Sequence, residues 1–163
     1  MEFSTISIIF SILATVIAIL AFFKSDNKDK GTEDFTTRPL QLQAYERLVL
    51  LCERIAMPNL ISRVSQPGLS AREMQVFLIE TIKQEYEYNA SQQIYVSQKA
   101  WDAVRGLRDQ NMLFINTMAN TVPQDATARD LNRAIMEAMM REEKAAFHTY
   151  VTATLNAEAK KLM

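Results

Sequence analysis

FSTISIIFSILATVIAILAFF, Phe3 to Phe23, is twenty-one consecutive residues without a charge. As a helix rising about 1.5 Å per residue it would be roughly 32 Å long, enough to cross the hydrocarbon core of a bilayer. A cleaved signal peptide is the competing assignment; it needs a positive n-region, a short apolar core and small residues at the cleavage point. Here Glu2 precedes the run, the run exceeds a usual signal core, and Phe22 and Phe23 stand where small residues would be needed. The stretch therefore predicts a retained transmembrane helix over 1–23, with the lipid bilayer as the first partner. Lys24, Lys28 and Lys30 follow the run and no basic side chain precedes it. Lysines at the end of a span mark its cytoplasmic side, so the N-terminus is expected outside and the C-terminal domain inside.

Within the run, Ser4, Ser7, Ser11, Ala14, Ala18 and Ala21 recur at alternating spacings of three and four, with the large side chains elsewhere. In lipid, small residues let helix backbones approach closely, so the stripe reads as a packing seam. Its partner is a second copy, giving a homo-oligomer, or another membrane protein; the spacing does not choose between them.

Beyond the span, KSDNKDKGTEDFTTR (24–38) holds one large apolar residue, Phe35, and is expected to be a flexible linker. With the first 38 of 163 residues set aside, 125 remain, which suits a single domain over 39–163 with one core. Without Glu2 the acidic side chains number eighteen against eighteen basic ones, so no global field draws this domain to nucleic acid. Three glycines in the chain argue against a turn-rich β architecture. A single cysteine, Cys52, excludes an intramolecular disulfide.

Periodicity predicts an all-α domain of four helices. The first starts at Pro39 and places Leu42, Tyr45, Leu48, Val49, Cys52, Ile55 and Ala56 on one face. Pro58 lies inside the pattern and removes the bond to the carbonyl of Arg54, so a kink is expected near Met57. Pro67-Gly68 makes a turn, and Ser70 with Glu73 forms a capping box for a second helix from Ala71. Its apolar stripe is Met74, Phe77, Leu78, Thr81, Ile82 and Tyr86. Asn89 suits a helix C-terminus and Ser97 an N-cap for a third helix from Gln98. Between them the β-favouring run Ile94-Tyr95-Val96 is expected to be a short extended segment; the alternative is one continuous helix from Ala71 to Asn120. The third helix carries Trp101, Val104, Leu107, Phe114, Ile115, Met118 and Val122, with Gly106 an interior weakness, and ends at Pro123. Asp125 or Thr127 caps a fourth, running from about Ala128 to Lys160. Its Arg129, Arg133, Glu137 and Arg141 ladder has the mixed sign of a solvated face.

The residues that chemistry requires are mostly missing. One histidine, His148, excludes a histidine-based metal cluster, and there is no glycine-rich phosphate loop or dinucleotide fingerprint. Cys52 with His148 is the one nucleophile pair that composition permits, and both fall on or near apolar faces. No small-molecule substrate, cofactor or catalytic residue is therefore expected. Tyr86, Tyr88, Tyr95 and Trp101 crowd the break between the second and third helices; they form the candidate partner surface, because such side chains join an apolar body to a polar tip. For Trp101 the competing reading is a core anchor. Methionines at helical spacing read as core filler before they read as a binding groove.

SQQIYVSQKAW (Ser91 to Trp101) and LQAYERLVLLCERI (Leu42 to Ile55) resemble a family of uncharacterised bacterial proteins, in which a single N-terminal span precedes a short helical domain of unknown function. The resemblance covers the span through the third helix. It implies a bacterial inner-membrane setting and brings no activity with it. The expectation is a membrane-anchored, non-enzymatic scaffold or adaptor that self-associates through its span. The alternative is an accessory subunit of a larger inner-membrane complex.

Overall fold

The computed structural model describes residues 37–141 and 145–163. The apolar run Phe3 to Phe23, its seam and the linker up to residue 36 lie outside the described residues. Among those described, no helix is long and apolar enough to cross a membrane. Gln41 to Met163 forms one compact unit.

The unit is all-α. Its α-helices are α1 (37–55), α2 (Met57–Val64), α3 (Ala71–Tyr88), α4 (Gln98–Ala119), α5 (Ala128–Arg141) and α6 (Ala145–Lys160), with a 3-10 helix at Ala90–Ile94. Of the four expected helices, the second and third are each found whole among the described residues, the first is divided at Ala56, and α5 and α6 are the described parts of the fourth. The first helix is already helical at residue 37, two residues before Pro39.

Local chemistry explains most of the boundaries. The Ser70 hydroxyl accepts from the Glu73 N–H while the Glu73 carboxylate accepts from the Ser70 N–H, so α3 opens on a complete capping box. Thr127 and Asp130 repeat the exchange at the start of α5, with Thr127 N–H and hydroxyl both donating to Asp130 Oδ2. Ser97 caps α4 by accepting from the Ala100 N–H. Asn89 closes α3, its side-chain amide donating to the Glu85 carbonyl.

The extended segment expected around Ile94 is not formed. Gln92 N–H donates to the Asn89 carbonyl and Tyr95 N–H to that of Gln92, which winds the chain into a 3-10 turn. Among the described residues a three-residue β-favouring run has no neighbouring strand to pair with, and the tight turn satisfies its backbone groups instead. The continuous-helix alternative is excluded by the same turn.

The break at Ala56 (φ −59°, ψ 131°) releases several carbonyls, and each finds a donor. The Glu53 carbonyl accepts from Asn59 Nδ2, that of Arg54 from Arg63, and that of Ile55 from Asn111 Nδ2 of α4 at 2.8 Å. Arg54 and Arg63 also converge on the Glu85 carboxylate, tying both sides of the break to α3.

Two ends hold the helices in an antiparallel path. At one end Tyr45 of α1 and Ser97 of α4 both donate hydroxyl bonds to Glu158 of α6. At the other an isolated bridge joins Ser70 to Thr127, through Ala71 N–H to the Ala126 carbonyl and Ala128 N–H to that of Leu69. Between them lies one core. Leu48, Leu51, Cys52 and Ile55 of α1 pack with Leu60, Met74, Leu78, Ile82, Val104, Ile115, Leu131, Ile135, Val151 and Leu155, all essentially inaccessible. Each such side chain contributes about 1.5–3 kcal/mol by leaving water.

Candidate functional site

The four aromatics at the break between α3 and α4 do not form one surface. Trp101 is 6% exposed and belongs to the core. Tyr86 packs on it with ring centroids 5.1 Å apart, and the Arg108 guanidinium lies 4.1 Å from the Tyr86 ring. Burial raises the Tyr86 phenol above its ordinary range, with Arg108 acting against the shift. Tyr95 is half-buried on the turn. Tyr88 alone stands out at 76% exposed, with the Arg47 guanidinium 5.4 Å from its ring and Leu50 sharing the shallow concavity beside it. Of the group, then, Tyr88 is the member best placed to meet a partner, with Arg47 and Leu50 that periodicity did not single out.

A better-formed concavity lies at the α1–α2 break. It is a cleft of about 880 Å³ whose walls come from the break itself (Glu53, Met57, Pro58, Asn59), from α4 (Asn111, Leu113, Phe114, Thr117) and from the α5 and α6 side (Met139, Phe147, His148, Tyr150). The cleft lies at the level where the chain turns at Ala56. Phe147 and Tyr150 stack with centroids 6.2 Å apart, and Leu113 and Tyr150 are 67% and 56% exposed. An apolar side wall is therefore left open to water.

Glu53 and His148, far apart in sequence, are brought together in the cleft by α1 and α6. His148 Nε2 lies 3.4 Å from Glu53 Oε1, inside ion-pair range but without the alignment of a hydrogen bond. The nitrogen is buried and makes no hydrogen bond. Cys52, the other half of the pair that composition permits, faces the core and is 0% exposed. Burial, helped by the neighbouring Glu53 charge, pushes its thiol up to about 12, so it carries no thiolate for nucleophilic work. The structure does not bring the two to one surface. Among the described residues no group of histidine, cysteine and acidic side chains could hold a metal ion.

The remaining perturbed groups are structural. Burial acts to raise the Glu85 carboxyl, yet Arg54 and Arg63 bring it below the ordinary range. Glu158 is likewise raised by burial and lowered further by the hydroxyls of Ser97 and Tyr45 and by Lys161 and Lys99. The arginine and glutamate ladder of α5 is exposed throughout. A buried Asn132 in α5 donates to the Ser65 hydroxyl across the loop end, where the loop before α3 meets the start of α5.

Compared with known families, residues 2–162 match the model of a family of unknown function, DUF7935. No curated protein and no solved structure matches the chain.

Proposed function

We propose, for a chain that belongs to the DUF7935 family and takes no activity from it, a membrane-anchored, non-enzymatic scaffold or adaptor. The uncharged run Phe3 to Phe23 carries this reading. The family match spans residues 2–162 and so covers the run together with the helical unit. In this reading the chain crosses a bacterial inner membrane once, N-terminus outside, and holds the helical unit at the cytoplasmic face. Tethering confines the unit to two dimensions and raises its effective concentration for a membrane partner. Self-association runs through Ser4, Ser7, Ser11, Ala14, Ala18 and Ala21.

Topology is the first test. Cys52 is buried, so the native thiol stays silent and an introduced cysteine at exposed Gln66 becomes the reporter. In intact cells a membrane-impermeant maleimide is expected to leave Gln66→Cys unlabelled, while a permeant one labels it, and the chain should resist alkaline extraction. Labelling by the impermeant reagent, or release from the membrane at alkaline pH, rejects the placement. For the seam, Ala14→Ile with Ala18→Ile is expected to lower the oligomer mass in detergent; an unchanged mass rejects it.

A second reading, an accessory subunit of a larger complex, draws on the exposed Tyr88, Arg47 and Leu50 surface, whose composition is that of a protein interface. Purification of a tagged chain at native expression would then recover stoichiometric partners whose retention is lost in Tyr88→Ala. Recovery of the chain alone counts against it.

A further inference from the structure

Between the loop from Ser65 to Leu69 and the first turns of α5 lies a cavity of about 620 Å³. Asn132 stands in its wall and is only 8% exposed. The side-chain amide donates from Nδ2 to the Ser65 hydroxyl, also in the wall, at 3.2 Å, the long end of the usual range. Its Oδ1 is buried and accepts no hydrogen bond from any described residue. Buried side-chain oxygens are paired in the large majority of cases, because one that has given up water without gaining a donor destabilises the fold. A ligand that brings an N–H or O–H to this oxygen supplies what the fold leaves out.

The charge around the cavity says what else that ligand carries. Among the described residues that line it, the charged ones are Arg129 and Arg133, and none is acidic. Arg133 donates to Asp130 at 2.7 Å, whereas Arg129 acts on that carboxylate only through space and has no hydrogen bond or ion pair among the described residues. Asp130 itself lines a separate concavity with Asp125 and Glu137. One guanidinium is thus left over at the cavity, with the planar fork that pairs with a carboxylate. Arg129 and Asn132 are three residues apart on α5 and so share one helix face, which lets a single molecule meet both. A cation would be repelled here, and a purely apolar molecule would leave both groups unpaired. The volume falls within the range of roughly 300–1,000 Å³ usual for small-molecule sites.

We infer that this cavity binds a small organic acid, a carboxylate with a hydroxyl or N–H donor beside it on an apolar body. The carboxylate accepts from Arg129, the donor enters between Ser65 and Asn132 to complete Oδ1, and the body lies against Ile61, Leu69 and Met136. The inference depends neither on the membrane placement nor on the Tyr88 surface.

Three probes on one phenylpropyl skeleton separate the two contacts: 3-phenyllactate carries both groups, 3-phenylpropionate lacks the hydroxyl, and 3-phenylpropane-1,2-diol lacks the charge. Each is titrated by ligand-observed NMR against the full chain in lipid nanodiscs, with empty nanodiscs as the blank. Phenyllactate is expected to bind saturably, and the other two at least about tenfold more weakly. Arg129→Gln, at an exposed position, should weaken phenyllactate about tenfold, leave the diol unchanged and keep the melting temperature of the unaltered chain. Absence of saturable phenyllactate binding, or undiminished binding by Arg129→Gln, overturns the proposal. So does equal affinity for phenyllactate and phenylpropionate, which would mean that water serves Asn132 Oδ1. Should the variant melt early, the comparison of the three probes on the unaltered chain decides.

Discussion

Gly106 lies inside α4 opposite the ring of Phe147, and a methyl group built at its Cα would stand 3.6 Å from Phe147 Cζ, an ordinary van der Waals contact. Its backbone is not in the left-handed region, so glycine is required there neither by conformation nor by space. Gly106→Ala is therefore expected to stabilise the protein by about 0.5–1 kcal/mol, the difference between the two residues in a helix interior. Gly68 is the opposite case. It holds φ at 90° in the turn before α3, where an alanine side chain is strained although nothing crowds it, and Gly68→Ala should cost about 1–2 kcal/mol. Urea titration of both variants of the full chain in mild detergent checks the pair; a loss of stability in Gly106→Ala would mean that Phe147 cannot give way. The weakness at Gly106 is visible in the sequence as a glycine inside a helical pattern. The ring it faces is not, because Phe147 arrives from α6.

At the scale of elements, the α1–α2 break poses a question of cause. Pro58 removes one backbone donor, which alone would bend a helix, but the extended Ala56 is held by side chains that take up the released carbonyls. Asn111→Ala would leave the carbonyl of fully buried Ile55 without a donor and is expected to cost about 1–2 kcal/mol. Pro58→Ala, by contrast, should change stability by less than about 0.5 kcal/mol, since Arg63 already satisfies the Arg54 carbonyl. The same urea midpoints decide: a larger loss in Pro58→Ala than in Asn111→Ala would make proline the cause. This contrast also divides what was legible from what was not. The Ser70 and Glu73 box, the Asn89 terminus and the Ser97 cap are each set by neighbours within a turn, and local rules read them correctly; Pro58 marked the place of the break but not the Asn111 that holds it. The fate of Ile94 to Val96 depended on whether another strand was at hand. The cleft required Glu53, Asn111 and His148 to meet from three helices, and helical spacing says nothing about which faces become neighbours. Of that site the sequence offered only the proline and the lone histidine.

At the scale of the whole molecule, shifted ionisable groups shape stability against pH on both limbs, Glu85 and Glu158 among those on the acid side and Cys52, Tyr45 and Tyr86 on the alkaline one. Glu85 and Glu158 have folded values below their ordinary range, so the stability they contribute is present above the unfolded carboxyl range, about 4.3, and is lost as pH falls through the folded values. Cys52 and Tyr45 are shifted the other way, both chiefly by burial, Cys52 from 9.0 to about 12. A raised acid keeps its proton in the folded chain after the unfolded chain has released it. The stability it contributes is therefore complete below the unfolded value and declines as pH rises from there toward the folded one. Stability should accordingly be flat between roughly pH 6 and 8, fall below about pH 4, and decline again from about pH 9. The alkaline decline belongs first to Cys52, at up to about 1.4 kcal/mol per pH unit, and to Tyr45 and Tyr86 only above about pH 10. Cys52→Ala lowers the plateau by opening space beside Leu48, Leu51 and Ile55, but it removes the ionisation, so its curve between pH 9 and 10 should run nearly level while that of the unaltered chain descends. Urea midpoints across that interval separate the two, because a packing defect shifts the whole curve and only the thiol changes its slope. Parallel curves would mean that the Cys52 thiol titrates alike in the folded and unfolded chains, and that the apolar surroundings built by α1 do not exclude its charge.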